Sequence, residues 1–437
     1  MRKAILLILV LAVLLSACAG VRPSAPAETE NPQTGKTPVE LHVVTSYGGN
    51  DGNRGDFEAA VKAYEAATGN VVIDGSATSN EGWKAKVLAD FETGSEPDVL
   101  FFFTSADVDP IIQAQRVVSI EEIRQSFPDY AANMKQSMLA QAADGNHYAV
   151  PSAGYWENLF VNKRVLEACG VAVPGADYTW EQFLTDCETI KNCGYVPIAC
   201  SLYEVPHYLF EFAVMNNGSL ETHLEVPALD ETGALIRNGA AESWIGALND
   251  IKQLYQLGYF PGNTLTAADA QTAALFAEGE AAFLIDGSWQ VGYLSEHHSS
   301  HLSDFAISCV PAKGQRLPTE AIGGISMGYF VTRKAWEDPE KREAAVEFVM
   351  HLTSDEVLST FIRTEVTALK DSAGPEDLNC LEQSAADVNA QLTGVSAAVQ
   401  DAISAEAKST LFASIQKVVT GRMTPEEALA SAMKRNQ

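Results

Sequence analysis

The sequence predicts an α/β protein of two domains, and three observations carry that prediction. Strand-like and helix-like segments alternate from Val39 onward, the order that a sheet covered by helices requires. About 400 residues follow the N-terminal region, more than one typical core accommodates. The composition is that of an ordinary globular chain, 46% apolar and 20% charged.

Val39–Ser46 alternates and is rich in β-branched residues, so it reads as a strand. It runs into a polar, glycine-rich loop, Tyr47–Asn53. Asp56 opens a helix to Ala67, stopped by Thr68-Gly69. Val71–Asp74 is a second strand, Glu81–Thr93 a helix ended by Gly94, and Pro97–Phe103 a buried strand. In sheets of this kind ligands bind beyond the carboxyl ends of the strands. Those loops are Tyr47–Asn53, Ser79–Trp83 and Phe102–Asp107. They supply the candidate ligand residues Tyr47, Asp51, Asn80, Glu81, Thr104 and Ser105, each weighed against helix capping or a solvated loop.

Further along, Asn146–Pro151 leads into Tyr155–Lys163, with a helix to Ala168. Thr179 and Gln182 have the spacing of a capping box. Ala241–Leu257 and Ala267–Ala277 read as helices. Ala281–Ile285 is strand-like and delivers Asp286-Gly287-Ser288-Trp289. Phe305–Val310 is a strand, and Glu320–Val331 holds the pair Gly323-Gly324, where a backbone could approach a ligand closely. Helices over Pro339–Leu352 and Pro425–Met433 close the pattern. Trp83, Trp180, Trp244 and Trp336 fall on helix faces and read as packing.

The N-terminus has a basic start, Arg2-Lys3, and an apolar run from Ala4 to Leu15, the length of a signal-peptide core and too short to span a membrane. Leu15-Ser16-Ala17-Cys18 resembles the lipobox of bacterial lipoproteins, which implies cleavage after residue 17 and lipidation of Cys18. The alternative is an ordinary secretory signal. Residues 18–38 are rich in Pro, Ala, Thr and Glu and read as a flexible tether, so the body would sit at the outer face of the cytoplasmic membrane, held by acyl chains.

The net charge is −28, and loss of Arg2 and Lys3 with the leader makes it more negative still. That balance excludes nucleic acid and polybasic membrane docking as partners, and is compatible with a neutral or cationic ligand. Six cysteines follow Cys18: Cys169, Cys187, Cys193, Cys200, Cys309 and Cys380. An exported chain permits disulfides, but the sequence selects no pairing. Their spacing lacks the paired arms of a structural zinc site, so no metal and no cofactor is expected. The acidic loop at residues 50–53 could hold calcium but lacks the ligand ladder of an EF-hand.

Gly324-Ile325-Ser326-Met327-Gly328 matches the nucleophile-elbow pattern of hydrolases. That chemistry needs a helix after the serine and a histidine further on. A strand-like segment follows instead, and the later histidine, His351, falls on a helix. There is no metal-binding HExxH and no phosphate loop. An enzyme is therefore not expected, although paired glycosidase carboxylates are always available in an acidic chain.

Several segments, in this order, resemble the family 1 extracellular solute-binding proteins of ABC sugar importers, the broad group that includes maltose-binding protein. They are the lipobox; Gly94-x-x-Pro97-Asp98-Val99; His147–Pro151 followed by Phe160–Lys163; Thr179-Trp180-x-x-Phe183; Phe276-x-x-Gly279-x-Ala281-Ala282-Phe283 with Gly287-Ser288-Trp289; and Gly323-Gly324. The resemblance implies two α/β lobes, each a mostly parallel sheet flanked by helices, joined by hinge crossovers and closing on a ligand. The hinges would lie near 150–154, 307–310 and 352–356. Lobe one would be 39–150 plus 311–352, and lobe two 151–310 plus 353–437.

The same resemblance implies a sugar or oligosaccharide ligand, an ABC permease as partner, and a monomer. It places Trp289 where the family stacks a ring, with Tyr155 and Trp156 facing the cleft and Asp286 beside them. A sugar presents hydroxyls at its rim and C–H groups on its face, so aromatic faces and polar side chains are both needed. The alternatives are a non-sugar small solute and a tethered extracellular hydrolase.

Overall fold

The computed structural model describes residues 37–436 except 50, 205, 373, 374 and 376. The leader, Cys18 and nearly all of the tether therefore lie outside the described residues, as does Asn50 of the acidic loop. Among the described residues eleven strands form two sheets. In chain order they are β1 (Glu40–Val44), β2 (Val71–Asp74), β3 (Val99–Phe103), β4 (Val150–Pro151), β5 (Tyr155–Asn162), β6 (Val196–Ile198), β7 (Ala281–Gly287), β8 (Phe305–Ser308), β9 (Glu320–Gly324), β10 (Met327–Val331) and β11 (Gly394–Ser396).

The first sheet has the order β2-β1-β3-β10-β4. The second runs β11-β9-β5-β7-β6, with β8 also paired to β5. Both sheets are mixed rather than mostly parallel. β1 pairs in parallel with β2 and β3, whereas β10 lies antiparallel to β3 and β4. In the second sheet β5 is antiparallel to β7, β8 and β9. The strands that bring the chain across between sheets are the ones that run against their neighbours.

Alternation within strands decides which side each residue covers. In β3, Val99 and Phe101 enter one apolar cluster and Leu100 and Phe102 the other. In β5, Leu159 and Val161 pack on one face while Trp156 and Phe160 pack on the opposite one. A strand buried on both faces reads as continuously apolar, as Val99–Phe103 does. Several helix ends fall where the sequence predicts, although the first helix starts at Arg54, ahead of Asp56, and the one expected from Pro339 starts at Lys341. The Asn80 side chain accepts the Trp83 N–H, Gly94 is left-handed after Thr93, and Thr179 with Gln182 forms the expected capping box.

Two crossovers lie later in the chain than expected. The first, between β4 and β5, falls at 152–154 as anticipated. The second was expected near 307–310, but β9 still pairs with β5 of the second sheet, so the change comes at 325–326, between β9 and β10. The third was expected near 352–356. Leu358, Phe361, Ile362, Ala368 and Leu369 still pack in the first lobe's core, and the second lobe resumes with Leu381 and Ala385. Lobe one therefore takes residues to 151 plus 327–369, and lobe two residues 155–324 plus 380–436. In both cases apolar side chains beyond the expected boundary found their burial in the lobe just left.

Candidate functional site

The three crossovers run side by side. Gly154 N–H donates to the Val366 carbonyl at 2.8 Å, and Trp156 Nε1–H donates to Thr364 O at 3.0 Å. A Cβ on Gly154 would lie 2.8 Å from Gly324 O, and one on Gly323 would lie 2.7 Å from Tyr155 O. Gly323 is thus a glycine because a strand passes close to it. Gly324 takes a φ of 151°, which few other residues adopt.

An aromatic group stands beside this junction in lobe two. β7 ends at Gly287, and the Ser288 N–H donates to Trp156 O at 2.9 Å, turning the chain into the helix Trp289–His297. The Trp289 ring lies over Gly287, in space that any side chain there would occupy. It is half-buried, with the ring centroids of Tyr155 at 6.3 Å and Tyr208 at 5.7 Å. The Tyr155 hydroxyl accepts the Ala398 N–H at 3.3 Å. His207, next to Tyr208, stacks on Phe412 at 5.5 Å. Burial, then the charges of Lys84 and Lys408, hold its imidazole neutral.

Carboxylates gather around these rings. Glu157 on β5 is 2% exposed, Glu211 on the helix His207–Asn217 is 0% exposed, and Asp286 at the end of β7 is also buried. Burial, then the charges of Asp286 and Asp401, push Glu157 well above the usual carboxyl range. Burial, then Glu157 and Asp401, do the same to Glu211. Asp286 is raised by burial and by Asp269. Oε2 of Glu157 and both oxygens of Glu211 lack hydrogen-bond partners. Gln400 approaches Glu211 and lowers its pKa weakly, short of a well-formed bond.

Lobe one brings a cation, a carboxylate and a ring to this group. Lys84 Nζ lies 4.1 Å from the Phe103 ring centroid and 3.4 Å from Asp107 Oδ2. Lys408, on the lobe-two helix Ala405–Val419, reaches Asp107 Oδ2 at 3.2 Å and Asp401 Oδ1 at 3.4 Å. The backbones of Gly52 and Gly292 also meet across the lobes, with a Cβ on Gly52 falling 2.8 Å from Gly292 C. Beside that contact the Asp51 carboxyl is pushed up to about 6, by burial and by Glu296.

The residues anticipated from sequence divide accordingly. Trp289, Tyr155 and Asp286 come together, and Asp51 lies at the contact between the lobes. Tyr47 and Trp156 do not join the site. Tyr47 packs in lobe one against Phe57, Phe101 and Phe361, and Trp156 stacks on Phe160 in lobe two, because each ring gains more from a core than from the cleft. Asn80 caps its helix. Glu81 opens that helix, and its side chain lies outside the described residues. Thr104 N–H is bonded to Ser326 O at 2.8 Å, and Ser105 Oγ is buried without a partner.

Sequence reading missed Tyr208, Glu157, Glu211, Asp401, Lys408, Lys84 and Asp107. Two left a signal: Glu157 lies in the largely apolar run Trp156–Val161, and Glu211 is an acid inside the otherwise apolar run Tyr208–Met215. Ser326 is followed by β10 and not by a helix, and His351 Nε2 is bonded to Ala60 O at 2.9 Å. All six body cysteines are free thiols. Burial, then its hydrogen-bonded neighbour Cys193, push Cys169 up to about 11. Among the described residues no group of His, Cys, Asp and Glu is arranged to hold a metal ion, and no helix is long and apolar enough to cross a membrane. A surface concavity on lobe one, around His42, Asp98 and Lys341, shares no residue with the aromatic group.

Two lobes joined by three adjacent crossovers, with rings and buried carboxylates at their junction, define a two-lobed periplasmic-binding-protein-like fold. The family model of bacterial extracellular solute-binding proteins matches residues 59–379, and the chain belongs to that family. Its fold is similar to that of a chitin oligosaccharide binding protein (TM-score 0.77, 20% identity, 91% of this chain and 98% of the other). It is also similar to a structure from work on xylan utilization by Caldanaerobius polysaccharolyticus (0.75, 18%, 91% and 100%). A third similar structure is the maltose/maltodextrin-binding domain MalE from Bdellovibrio bacteriovorus bound to maltotriose (0.69, 20%, 91% and 98%). No curated protein matches the chain.

Proposed function

We propose that this chain is the substrate-binding lipoprotein of an ABC importer, capturing a sugar or oligosaccharide between its lobes and delivering it to a membrane permease. The observation that carries this reading is the half-buried Trp289 ring, flanked by Tyr155 and Tyr208 beside carboxylates and facing the other lobe. Such a surface offers an apolar face for sugar C–H groups and acceptors for hydroxyls. The similar structures named above include a chitin oligosaccharide binding protein and a maltose/maltodextrin-binding domain, which supports the ligand class. Binding would favour the closed arrangement through contacts made to both lobes at once, and the permease would read that closure.

Attachment through lipid on Cys18, an extracytoplasmic location and a monomeric state belong to the same proposal. Radiolabelled palmitate incorporated into wild type and lost in Cys18→Ala tests the anchor. For the ligand, a thermal-shift screen of the purified full chain against mono- and oligosaccharides, amino acids and polyamines is decisive. A concentration-dependent rise with one sugar class is expected, because a ligand of the folded state stabilises it by mass action. A flat response to every sugar overturns the carbohydrate assignment. Sugar turnover that Ser326→Ala abolishes would replace it with a hydrolase.

A further inference from the structure

We propose that the ligand of this cleft carries an ammonium group, seated against the Glu157 and Glu211 carboxylates with Trp289, Tyr155 and Tyr208 around it. The inference rests on the solute-binding reading above and specifies the chemistry of the solute. Glu211 is 0% exposed and neither of its carboxylate oxygens has a hydrogen-bond partner; Glu157 is 2% exposed and its Oε2 has none. Buried polar groups are nearly always paired, and an orphaned pair of acids in one place calls for a donor that the chain does not supply.

The charged surroundings are one-sided. From β7 and from the turn Val399–Ala402, Glu157 faces Asp286 and Asp401. Glu211 faces Glu157, Asp401 and, from the helix Ala405–Val419, Lys408. Lys408 is itself engaged with Asp107 and Asp401. The same acids act on Tyr155 and Tyr208, which places the rings and the carboxylates in one group. Sugar hydroxyls could satisfy single oxygens, whereas an ammonium would also let these acids ionise beside a compensating charge. An ammonium supplies three donors and a charge, and aromatic faces attract cations.

Proton balance gives the test its signature. In the free protein burial and neighbouring acids raise these carboxyls well above the ordinary carboxyl range, and an adjacent ammonium favours their ionised forms. Binding therefore releases protons to solvent.

The experiment is titration calorimetry on the purified full chain between about pH 5 and 8, in buffers of different ionisation heat. The probes are a β-1,4-linked glucosamine disaccharide, its N-acetylated counterpart, cellobiose and spermidine. The amine-bearing disaccharide is expected to bind at least about tenfold more tightly than cellobiose, with a buffer-dependent heat that reports proton release. Glu211→Gln is expected to erase that preference, and the proton release of wild type tests the idea even if that variant misfolds. Spermidine binding with the same proton release upholds the ammonium and overturns the carbohydrate assignment. Equal binding of cellobiose or the acetylated sugar, with no buffer dependence, sinks this inference and leaves the sugar-binding reading standing. No binding by any of the four probes also sinks it, and the broader thermal-shift screen then decides whether the sugar reading falls with it.

Discussion

Lys408 of lobe two places its ammonium 3.2 Å from the Asp107 carboxylate of lobe one, and the two side chains are only 3% and 4% exposed. The pair is therefore a bond between the lobes, which Arg363 and Glu382 also bridge. Removing one partner of a buried pair leaves the other charged and desolvated, at a cost of about 3–5 kcal/mol. Lys84 still faces Asp107 at 3.4 Å, so Lys408→Met is expected to cost somewhat less, about 2–3 kcal/mol in urea unfolding. Burial alone would raise the Asp107 pKa, but Lys408 and then Lys84 outweigh it and hold the group below its ordinary 3.8. Its stabilisation is thus complete above that value and fades as pH falls through the lower folded value. The variant's deficit should shrink at about pH 3 and below; a deficit unchanged there would mean the ion pair is not its source.

Trp289→Ala is expected to weaken ligand binding by about 1–3 kcal/mol, with little change in the melting temperature of the free protein, since the ring is half-exposed. Gly287→Ala should reproduce that loss, because its methyl would occupy the space in which the ring lies. Calorimetry on both variants checks this, and full affinity in either removes Trp289 as the platform.

Asp51 gives the opposite pH dependence to Asp107. Its folded carboxyl is raised from 3.8 to about 6, so the folded state holds the proton more tightly than the unfolded chain does. Wild-type stability should fall as pH rises through that interval. Asp51→Asn keeps an acceptor for the Asn53 N–H and removes the charge. It is expected to be about 1–2 kcal/mol more stable than wild type near pH 8 and no different near pH 3, an estimate reduced for partial exposure. Chemical denaturation at both values measures it, and equal stability at pH 8 would refute the burial effect.

Gly52→Ala should hold the lobes apart, since its Cβ would press on the Gly292 backbone at 2.8 Å. Backbone yields less easily than a side chain tip. We expect weaker binding and a larger radius of gyration by solution scattering with ligand present. An unchanged radius would place the closing contact elsewhere.

Much of the fold was legible because it depends on local rules. Asn80, Gly94 and the Thr179–Gln182 box mark helix ends by backbone chemistry that sequence displays. Val99–Phe103 reads as a doubly buried strand because every residue in it is apolar. Crossover positions were less legible: β9 and β10 form one continuous strand-like stretch in sequence, and no local feature reveals that Gly324 and Met327 belong to different sheets. Aromatic residues misled for a related reason. Tyr47, Trp156 and Trp289 have similar local settings, yet only Trp289 keeps a face out of a core, and which cluster covers a ring depends on helices distant in sequence.

By itself, the sequence determined the α/β class, the ends of most helices, the acidic balance, and the segment Ala281–Trp289 that carries a ring to the edge of a sheet. Each follows from periodicity, capping or composition, which act over a few residues. Only the tertiary structure decided that Glu157 and Glu211 are buried near each other and near Asp401, and that Lys408 crosses to Asp107, 301 positions away. Burial and charge act through space. Their effect on a side chain is set by whatever the fold brings next to it, and the chain order does not encode that neighbour.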